Sequence, residues 1–264
     1  MEKDKNKEDI VERKSPRGER KTSFGFKEVD EKDRQNLVQD VFTSVANKYD
    51  LMNDLMSMGA HRLWKRLLIS KTGLKEGGTA LDVAGGTADI AILMADKVGK
   101  TGHVTVFDIN EEMLKEGKKK CVDRGYVKNI DFVQGNAEEI PFDDNTFDVA
   151  TVGFGIRNVT RIDKAFSEMA RVVKPGGKVL CMEFSKPTLK PFEVLYDAYS
   201  FGVIPAIGEA VTGDRDSYQY LVESIRKFPP QEELKKIMEG AGLSNVRYYN
   251  ILTGVVAIHV GLKA

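Results

Sequence analysis

The stretch that most constrains the fold is residues 80–89, Ala-Leu-Asp-Val-Ala-Gly-Gly-Thr-Ala-Asp. Leu81 and Val83 favour a short buried strand, and the two adjacent glycines end it. The apolar run at residues 90–95 then predicts a helix, so the stretch is typical of a strand, a tight turn and a helix. Such a turn brings backbone N–H groups close to a ligand at the start of the helix. Because every α/β protein needs turns of this kind, the turn alone does not identify the ligand.

Short apolar strands and amphipathic helices alternate along the rest of the chain. Repeated strand–helix units require a mostly parallel sheet with right-handed crossovers. The last two strands are too close in sequence for a crossover helix, so they predict an antiparallel hairpin. We therefore expect one α/β domain with a doubly wound, mostly parallel seven-stranded sheet, helices on both faces and an antiparallel C-terminal hairpin. After the strand near residues 80–83, the predicted strands are 104–107, 130–133, 147–154, 178–184, 246–251 and 254–261, and the predicted helices are 112–124, 162–173 and 231–241.

Charge and composition exclude several functional classes. The 264 residues carry 40 basic and 40 acidic side chains, and this balance argues against a nucleic-acid-binding protein, which would be strongly basic. Cys121 and Cys181 do not suggest a disulfide framework, so a reducing compartment is the simpler interpretation. His61, His103 and His259 are scattered, and we expect no metal site built from histidine or cysteine.

The N-terminal segment differs from the rest of the chain. Residues 1–34 carry 11 basic and 10 acidic side chains and almost no apolar ones. Such a segment cannot bury enough surface to fold alone, so a charged, disordered tail is predicted. It fits neither a signal peptide nor a transit peptide, although an organellar protein whose presequence has been removed stays an alternative. Residues 35–264 are the predicted single domain.

Two segments of that domain lie outside the alternating core. Residues 35–70 begin with apolar positions at helical spacing from Leu37 to Met52, which predicts an amphipathic helix. This helical segment is either a packing cap or a lid over a ligand pocket. Residues 71–78 are the expected linker into the core. Residues 187–228 are an aromatic, partly helical insertion, which is either a second apolar cluster or a wall of the substrate pocket.

The expected ligand site lies beyond the carboxyl ends of the strands, at the switch point beside the first strand. Asp108 follows the second strand, 26 residues after Asp82, and an acid at that distance reaches the two ribose hydroxyls of a nucleotide. Alternatively, Asp108 caps the helix that follows. Asn136 follows the third strand, where its amide is placed to face an adenine edge and the Ala137 N–H to reach a ring nitrogen. A simple turn asparagine is the alternative.

The glycine turn is not the one that dinucleotide cofactors prefer. Those cofactors use Gly-x-Gly-x-x-Gly, which leaves room for a pyrophosphate at the helix start. Here Gly85 and Gly86 are adjacent, Ala88 follows, and Asp89 begins the helix. The Asp89 carboxylate would repel a pyrophosphate but is placed to receive the ammonium group of a methionine moiety. The turn therefore favours S-adenosylmethionine (SAM) over NAD.

Several segments together carry a resemblance to a known family. Beside residues 82–89, they are residues 49–64, which begin Tyr-Asp-Leu-Met-Asn; 154–158, Phe-Gly-Ile-Arg-Asn; 171–185, Arg-Val-Val-Lys-Pro-Gly-Gly-Lys-Val-Leu-Cys-Met-Glu-Phe-Ser; 196–200, Tyr-Asp-Ala-Tyr-Ser; and 218–225. Residues 82–89 resemble the opening motif of class I SAM-dependent methyltransferases. The others are similar to the UbiE/COQ5/MenG family of quinone-biosynthesis C-methyltransferases, and the likeness extends from about Phe24 to the C-terminus.

The resemblance implies a Rossmann-like class I methyltransferase fold and methyl transfer from SAM to a ring carbon of a polyprenylated quinol. The family's substrates are demethylmenaquinol, which becomes menaquinol, and 2-methoxy-6-polyprenyl-1,4-benzoquinol of ubiquinone biosynthesis; the sequence leaves the native quinol open. By this resemblance the cofactor-binding residues are Asp82, Gly85, Gly86, Thr87, Asp108, Asn136, Ala137 and Gly153.

Two positions depart from the family pattern. Gly153 stands where a serine is frequent, which removes one side-chain contact. Ala88 stands where glycine is usual, so its methyl group must fit beside the cofactor, and we expect an ordinary negative φ there.

The expected chemistry needs a charged group but no metal, because the sulfonium methyl of SAM is already electrophilic. A quinol hydroxyl must lose its proton to make the ring carbon nucleophilic, and a ring proton must leave afterwards. Arg157 is the expected catalytic residue, which would stabilise the quinolate and position a water that accepts the proton, since arginine itself stays protonated. A salt bridge from Arg157 to Asp50 or Asp197 is the alternative. The expected substrate-binding residues are Tyr49, Asp50, Asn158, Tyr196 and Tyr199.

The polyprenyl tail of such a substrate requires an apolar path. Residues 192–211 are rich in aromatic and aliphatic side chains but carry charges, a glycine and a proline, so they cannot span a bilayer. We expect a peripheral contact with the inner membrane, from the bacterial cytoplasm or the mitochondrial matrix, and a homodimer or a quinone-biosynthesis complex. The alternative functions are a non-catalytic scaffold that binds SAM and quinol, a small-molecule O-methyltransferase and an NAD-dependent dehydrogenase.

Overall fold

The computed structural model describes residues 21–126, 128–189 and 215–264, together with residues 202–203, 205–206, 209 and 213. The insertion predicted at 187–228 is therefore described mainly at its two ends. The predictions for Tyr196, Tyr199 and Asp197, for most of residues 192–211 and for residues 1–20 lie outside the described residues.

The described elements alternate as the sequence predicts, with small differences at their ends. The strands are β1 (Lys21–Phe24), β2 (Lys27–Asp30), β3 (Thr79–Val83), β4 (His103–Asp108), β5 (Ile130–Gln134), β6 (Phe147–Gly153), β7 (Val173–Phe184), β8 (Leu243–Ile251) and β9 (Val256–Lys263). The helices are α1 (Glu31–Val45), α2 (Tyr49–Ser57), α3 (Ala60–Thr72), α4 (Asp89–Val98), α5 (Glu111–Asp123), α6 (Ile162–Val172), α7 (Arg215–Lys227) and α8 (Gln231–Gly240).

Seven strands form one sheet in the order β5-β4-β3-β6-β7-β9-β8. The first five are parallel, whereas β9 is antiparallel to both β7 and β8, which confirms the closing hairpin. The strand β3 lies between β4 and β6, so successive strands are added first on one side of β3 and then on the other. This is the switch point of the sheet, where ligands bind in such folds.

Helices cover both faces of the sheet, as predicted. On one face, α3 and α4 pack Leu68 and Met94 against the sheet; on the other, α6 and α8 pack Phe166 and Met238. Alternate residues of β3 enter opposite clusters, since Ala80 belongs to the first and Leu81 and Val83 to the second. A strand that is buried on both faces has a nearly continuous run of apolar residues in its sequence.

The strand β7 begins at Val173, five residues before its predicted start at 178. Phe147 pairs with Val173 and Val149 with Lys178, so the register shifts between the two pairs. The residues of β7 between these two pairs are Lys-Pro-Gly-Gly, residues 174–177. The proline and glycines mark a break in the strand register, and the sequence prediction placed the start of the strand after that break.

The N-terminal prediction is wrong for residues 21–34, which belong to the folded domain. The strands β1 and β2 form an antiparallel hairpin, and the Phe24 ring stacks on Tyr220 with 4.3 Å between centroids. Arg34 is buried and donates hydrogen bonds to three backbone carbonyl groups, those of Ser23, Arg157 and Asn158. Most of these anchoring contacts join residues far apart in sequence, so they cannot be recognised from composition. Composition alone therefore predicted a solvated tail.

The segment predicted as a lid consists of three helices rather than one long one. A short 3₁₀ turn, Ala46–Lys48, separates α1 from α2, and α3 extends to Thr72, so the linker into the core is shorter than predicted. Trp64 of α3 packs in the core with Phe154, with 6.2 Å between ring centroids. The helices α1 and α2 close the site described below, and α3 packs on α4.

Candidate functional site

The carboxyl ends of the four parallel strands β3 to β6 open into a cavity of about 1040 Å³, counted to its open mouth, which we call the first cavity. Val38 and Phe42 of α1 and Tyr49 of α2 close it from the side opposite the strands. Of the predicted cofactor residues, all but Asp82 line it: Gly85, Gly86, Thr87, Asp108, Asn136, Ala137 and Gly153.

The glycine turn is shaped by close packing on its inner side. A Cβ at Gly85 would lie 2.8 Å from Cγ1 of Val106 and 2.9 Å from the backbone oxygen of Asp82. Gly86 has a φ of +49°, and a Cβ there would lie 2.9 Å from Cε of Met113. Gly85 therefore requires glycine for space, and the left-handed backbone at Gly86 favours glycine. The Gly86 N–H donates to Oδ2 of Asp108 at 2.9 Å.

Asp108 accepts hydrogen bonds from two backbone N–H groups, one in the glycine turn and one at the residue before α5. Its Oδ1 accepts from the Asn110 N–H at 2.8 Å, while Oδ2 accepts from Gly86. The side chain that caps α5 is Asn110, whose Oδ1 accepts from the Met113 N–H at 3.0 Å, so the capping alternative for Asp108 is wrong. Burial raises the pKa of Asp108 to about 6. The hydrogen bonds from backbone N–H groups lower the pKa, but their effect is smaller than that of burial. Its carboxylate lines the first cavity and has acceptor capacity left for hydroxyl groups.

Asp82 lies beneath the glycine turn and does not line either cavity described here. It is 1% exposed, and its Oδ1 accepts from the Thr151 hydroxyl at 2.9 Å. Burial raises the pKa of Asp82 to about 7. The prediction that Asp82 contacts the cofactor therefore does not match its position, because its side chain is buried beneath the glycine turn.

An ion network links the lid to the start of α4. Asp50 of α2 accepts from the Thr87 hydroxyl at 2.8 Å and pairs with Lys120, which also pairs with Asp89 at 2.9 Å. Lys65 of α3 lies 2.7 Å from the other oxygen of Asp89. Burial alone would raise the pKa of Asp89, but the two lysines hold it below its ordinary value.

This network changes two predictions. Asp50 was expected to orient the substrate ring, yet its carboxylate joins Thr87 to Lys120 beside the glycine turn. Asp89 was expected to be free for an ammonium group, yet both of its oxygens are paired with lysines. Neither partnership was visible in the sequence, since Lys120 is 31 residues from Asp89.

Ala88 has a φ of +65°, so the expectation of a negative φ is wrong. Its N–H donates to the Gly85 oxygen at 2.9 Å, and this tight turn sets the left-handed conformation immediately before α4. The side chain is fully buried in the apolar cluster that includes Ile90, and Ala88 does not line the first cavity. Its methyl group therefore packs in the core rather than beside the cofactor.

We expect Ala88→Gly to change the free energy of unfolding by no more than about 1 kcal/mol. Relief of the left-handed conformation contributes about 1–2 kcal/mol, and the lost methyl burial and the extra freedom of glycine when unfolded cost about as much. SAM affinity should stay unchanged. Denaturant unfolding and calorimetry check both, with Ala88→Val, which is strained at positive φ, as the contrasting variant. A glycine variant that binds SAM several-fold better would contradict this placement.

Asn136, Ala137 and Gly153 meet at the strand ends on the far side of the cavity. Oδ1 of Asn136 accepts from the Glu138 N–H at 3.0 Å, so Asn136 also serves as a turn residue, and its amide nitrogen is left for a ligand. At Gly153 a Cβ would overlap Cδ1 of Ile90. The isoleucine thus fills the space that a serine, frequent in the family at this position, would need.

A second cavity adjoins the first and shares Phe42, Tyr49 and Phe154 with it. The shared aromatic residues form the boundary between the two. Most of its other described lining residues are apolar or aromatic, and Arg157 among them carries a positive charge. They are Val41, Val45, Asn53, Arg157, Phe184, Ser217, Tyr218, Tyr220 and Leu221. A flat aromatic ring with hydroxyl groups fits such a lining, because it needs apolar contact and a few polar partners.

Arg157 follows β6 in a 3₁₀ turn and is buried at the wall of the second cavity. Its guanidinium donates to the Phe154 carbonyl and to Oε1 of Glu183, the latter at 2.8 Å. Asp50 is not its partner, so that alternative is wrong, and Asp197 lies outside the described residues. Glu183 was not predicted as a partner of Arg157. The missed signal is a glutamate in a buried strand, where carboxylates are rare unless paired.

The other predicted substrate residues are divided between the cavities. Tyr49 lies at their boundary, and burial raises its pKa. Asn158 lines the first cavity instead of the second, and its Oδ1 accepts from the Tyr220 hydroxyl at 3.0 Å. Tyr49 is thus placed to contact both ligands, while Asn158 joins the turn after β6 to α7.

Metal ligands do not cluster in the described residues: no group of three or more His, Cys, Asp or Glu side chains is found among them. Both cysteines are buried and unpaired with each other.

Comparison with known proteins identifies the family. Residues 28–263 match the sequence model described as the ubiE/COQ5 methyltransferase family. The chain belongs to the ubiE/COQ5 methyltransferase family. It is 53% identical over 247 residues to the "Ubiquinone/menaquinone biosynthesis C-methyltransferase UbiE" of Idiomarina loihiensis, covering 94% of this chain and 98% of that one. The protein of the same name from Escherichia fergusonii is 53% identical over 242 residues, 92% of this chain and 96% of the relative.

Solved structures confirm the fold of this family member. A SAM-dependent methyltransferase from Aquifex aeolicus superposes with a TM-score of 0.57 at 23% identity, over 81% of this chain and 98% of the other. A possible histamine N-methyltransferase from Thermotoga maritima gives 0.61 at 18% identity, over 86% and 100%. The Rossmann-like class I methyltransferase fold is thereby confirmed. As a member of the ubiE/COQ5 family, the chain is a SAM-dependent methyltransferase, and SAM is its cofactor.

The first cavity fits that cofactor. Asp108 offers carboxylate oxygens to ribose hydroxyls, the glycine turn gives close access to the backbone, and Asn136 lies beside the third strand end. The residues that would hold SAM are therefore those predicted at the strand ends, without Asp82.

Proposed function

We propose that this protein transfers a methyl group from SAM to a ring carbon of a polyprenylated quinol in menaquinone or ubiquinone biosynthesis. The observation that carries the proposal is the junction of the two cavities at Phe42, Tyr49 and Phe154, with Arg157 on the wall of the second. A cofactor in the first cavity and a ring in the second would meet at this junction. The names of the 53% identical relatives support the quinol as the methyl acceptor.

Bound SAM supplies an electrophilic methyl group on a sulfonium. The residues of this chain bind and orient the two reactants: Asp108 and Asn136 hold the nucleoside, and Tyr49 and Phe154 separate it from the acceptor cavity. Holding both reactants in one geometry removes much of the entropic cost of a bimolecular step.

Arg157 acts on the quinol. When the hydroxyl next to the acceptor carbon loses its proton to water, the electron pair stays on the oxygen, and a fixed guanidinium stabilises that negative charge. Because Arg157 is buried, its charge is screened less than it would be in water. After transfer, the proton of the methylated carbon leaves to water, and the ring becomes aromatic again.

The test is turnover with two quinols side by side. Purified enzyme, SAM and a reductant are incubated with a short-chain demethylmenaquinol or a short-chain 2-methoxy-6-polyprenyl-1,4-benzoquinol, and the products are analysed by mass spectrometry. We expect a new carbon–methyl bond on at least one quinol. A methyl ether product would favour the O-methyltransferase alternative, and SAM and quinol binding without turnover would favour the non-catalytic scaffold.

We further propose that α3 contacts the membrane surface in which the quinol dissolves. Its outward face carries Leu63, which is 66% exposed, and Leu67, with Arg62 and Arg66 beside them. Leucines interleaved with arginines, on a helix without an acidic residue, are typical of helices that lie in a lipid interface. In the described part of the chain no helix is long and apolar enough to cross a bilayer. The attachment would be peripheral, at the inner membrane.

Vesicle co-sedimentation tests this contact. We expect Leu63→Gln/Leu67→Gln to weaken binding to phosphatidylcholine–phosphatidylglycerol vesicles roughly tenfold, since two partly buried leucines would be lost from the interface. Turnover of a soluble short-chain quinol should be unaffected. Val122→Gln on α5, where the valine is 53% exposed, is the matched control. Equal binding of parent and double variant would contradict the assignment to α3. Light scattering of the purified protein without vesicles checks the homodimer or larger complex that the sequence predicts.

A further inference from the structure

Glu183, the residue before the end of β7, lies directly behind Arg157 as seen from the second cavity. Its side chain is 1% exposed, and that of Arg157 is 3% exposed. Oε1 of Glu183 accepts from the Arg157 guanidinium at 2.8 Å and from the Phe184 N–H at 2.9 Å. The Phe154 carbonyl accepts from the same guanidinium nitrogen. The guanidinium is thus held by one carboxylate of β7 and by the carbonyl of the residue that follows β6.

Stability alone does not explain this buried pair. Replacing buried ion pairs with apolar residues of similar volume is often neutral or stabilising. Here Nε of Arg157 and Oε2 of Glu183 have no hydrogen-bond partner among the described residues. Buried charged groups with unmet hydrogen bonds are costly. The position of the pair against the second cavity indicates a role other than stability.

We propose that Glu183 is a positioning residue for methyl transfer, which fixes the Arg157 guanidinium at the wall of the second cavity and balances its charge. This inference rests on the proposed function. In the free enzyme the two charges neutralise each other. When the quinol O–H bond breaks and the proton goes to water, the oxygen anion meets a guanidinium that is already in place. No reorganisation of the arginine is then needed in the transition state.

The experiment compares Glu183→Leu and Glu183→Gln in the parent enzyme and in an Arg157→Ala background. Leucine keeps the approximate volume but cannot hold Arg157, whereas glutamine keeps an acceptor oxygen. In the parent background we expect kcat to fall roughly 10²-fold for leucine, and less for glutamine. SAM affinity should be unchanged in both. In the Arg157→Ala background, Glu183→Leu should have no further effect on kcat, because its action passes through Arg157.

A loss that multiplies in the Arg157→Ala background would overturn the proposal, since Glu183 would then act on its own or only through the fold. An unchanged kcat in Glu183→Leu would overturn it too. The double variant Arg157→Ala/Glu183→Leu leaves no unpaired charge, so the comparison survives if a single variant folds poorly. Glu168→Leu is the control, because Glu168 pairs with Arg171 at 2.7 Å away from both cavities.

A second measurement does not depend on turnover. The ionisation of 1-naphthol bound to the enzyme is followed by its naphtholate absorbance as pH is raised. We expect naphthol to ionise at lower pH on the parent enzyme than in water, and this shift to disappear in Arg157→Ala. It should disappear in Glu183→Leu as well, because the released guanidinium leaves the cavity wall, whereas loss of the carboxylate charge alone would enlarge the shift. A shift that persists in Glu183→Leu would overturn the positioning role. Failure of the parent enzyme to methylate any quinol, with this naphthol pattern intact, would contradict the proposed function and leave Glu183 as the residue that positions Arg157.

Discussion

Replacing Arg157 with alanine is expected to lower kcat for quinol methylation roughly 10²–10³-fold, the effect of removing one preorganised donor from a developing oxyanion. SAM affinity should be nearly unchanged, because Arg157 lines the second cavity and not the first. Calorimetric titration with SAM and steady-state kinetics with a short-chain quinol check the two halves of this expectation. An unchanged kcat would rule out Arg157 as the catalytic residue.

The main control concerns stability. Arg157→Ala leaves the Glu183 carboxylate buried and unpaired, which costs about 3–5 kcal/mol and would by itself reduce the folded fraction. Thermal unfolding of each variant is therefore measured beside its kinetics. Arg157→Lys keeps the charge but loses the planar fork of donors, so we expect it to retain part of the turnover.

Replacing Asp108 with asparagine is expected to weaken SAM binding roughly 10–100-fold, because a hydrogen bond to a charged acceptor is worth about 1.5–3 kcal/mol. The change also disturbs the glycine turn, because asparagine has one acceptor oxygen and its amide nitrogen only donates. One of the Gly86 and Asn110 N–H groups would therefore lose its acceptor. Turnover at saturating SAM should be affected much less than SAM affinity. Asp131→Asn, at an exposed acid on β5, is the control. Equal SAM affinity in Asp108→Asn and the parent would remove Asp108 from the cofactor site.

The same residue gives a pH dependence. Burial raises the pKa of Asp108 to about 6 in the free enzyme, and ribose hydroxyls donate to the ionised form. SAM affinity should therefore be full above about pH 6 and should weaken as pH falls through that value. In Asp108→Asn this dependence should be lost. A slope that persists in the variant would come from another group, of which Asp82, with a pKa of about 7, is the nearest candidate.

The sequence predicted the fold and the strand-end residues that line the first cavity, because both depend on local patterns. Short apolar runs ended by glycine, such as residues 80–86, specify a strand and a tight turn, and the carboxyl ends of parallel strands must share one edge of the sheet. For this reason Gly85, Asp108 and Asn136 line the first cavity. Asp82 does not line it, and the motif alone does not state which of its residues face a cavity.

Residues outside the strand ends were predicted less well. The Ala88 backbone conformation depends on a turn that is closed by Gly85, and the Asp50 and Asp89 carboxylates are paired with lysines far away in sequence. Charged residues were assigned to the substrate or to solvent when their partners were not visible. Arg34 was likewise assigned to a tail, although its guanidinium holds the turn that carries Arg157.

By itself, the sequence determined the alternating α/β architecture, the glycine turn and the strand-end acid, because hydrophobic periodicity and backbone sterics act over a few residues. Only the tertiary structure decided that two cavities meet at Tyr49, that Glu183 rather than Asp50 holds Arg157, and that residues 21–34 belong to the domain. These contacts join side chains that are tens to hundreds of residues apart. Their energies depend on distance and burial in space, which no local pattern encodes.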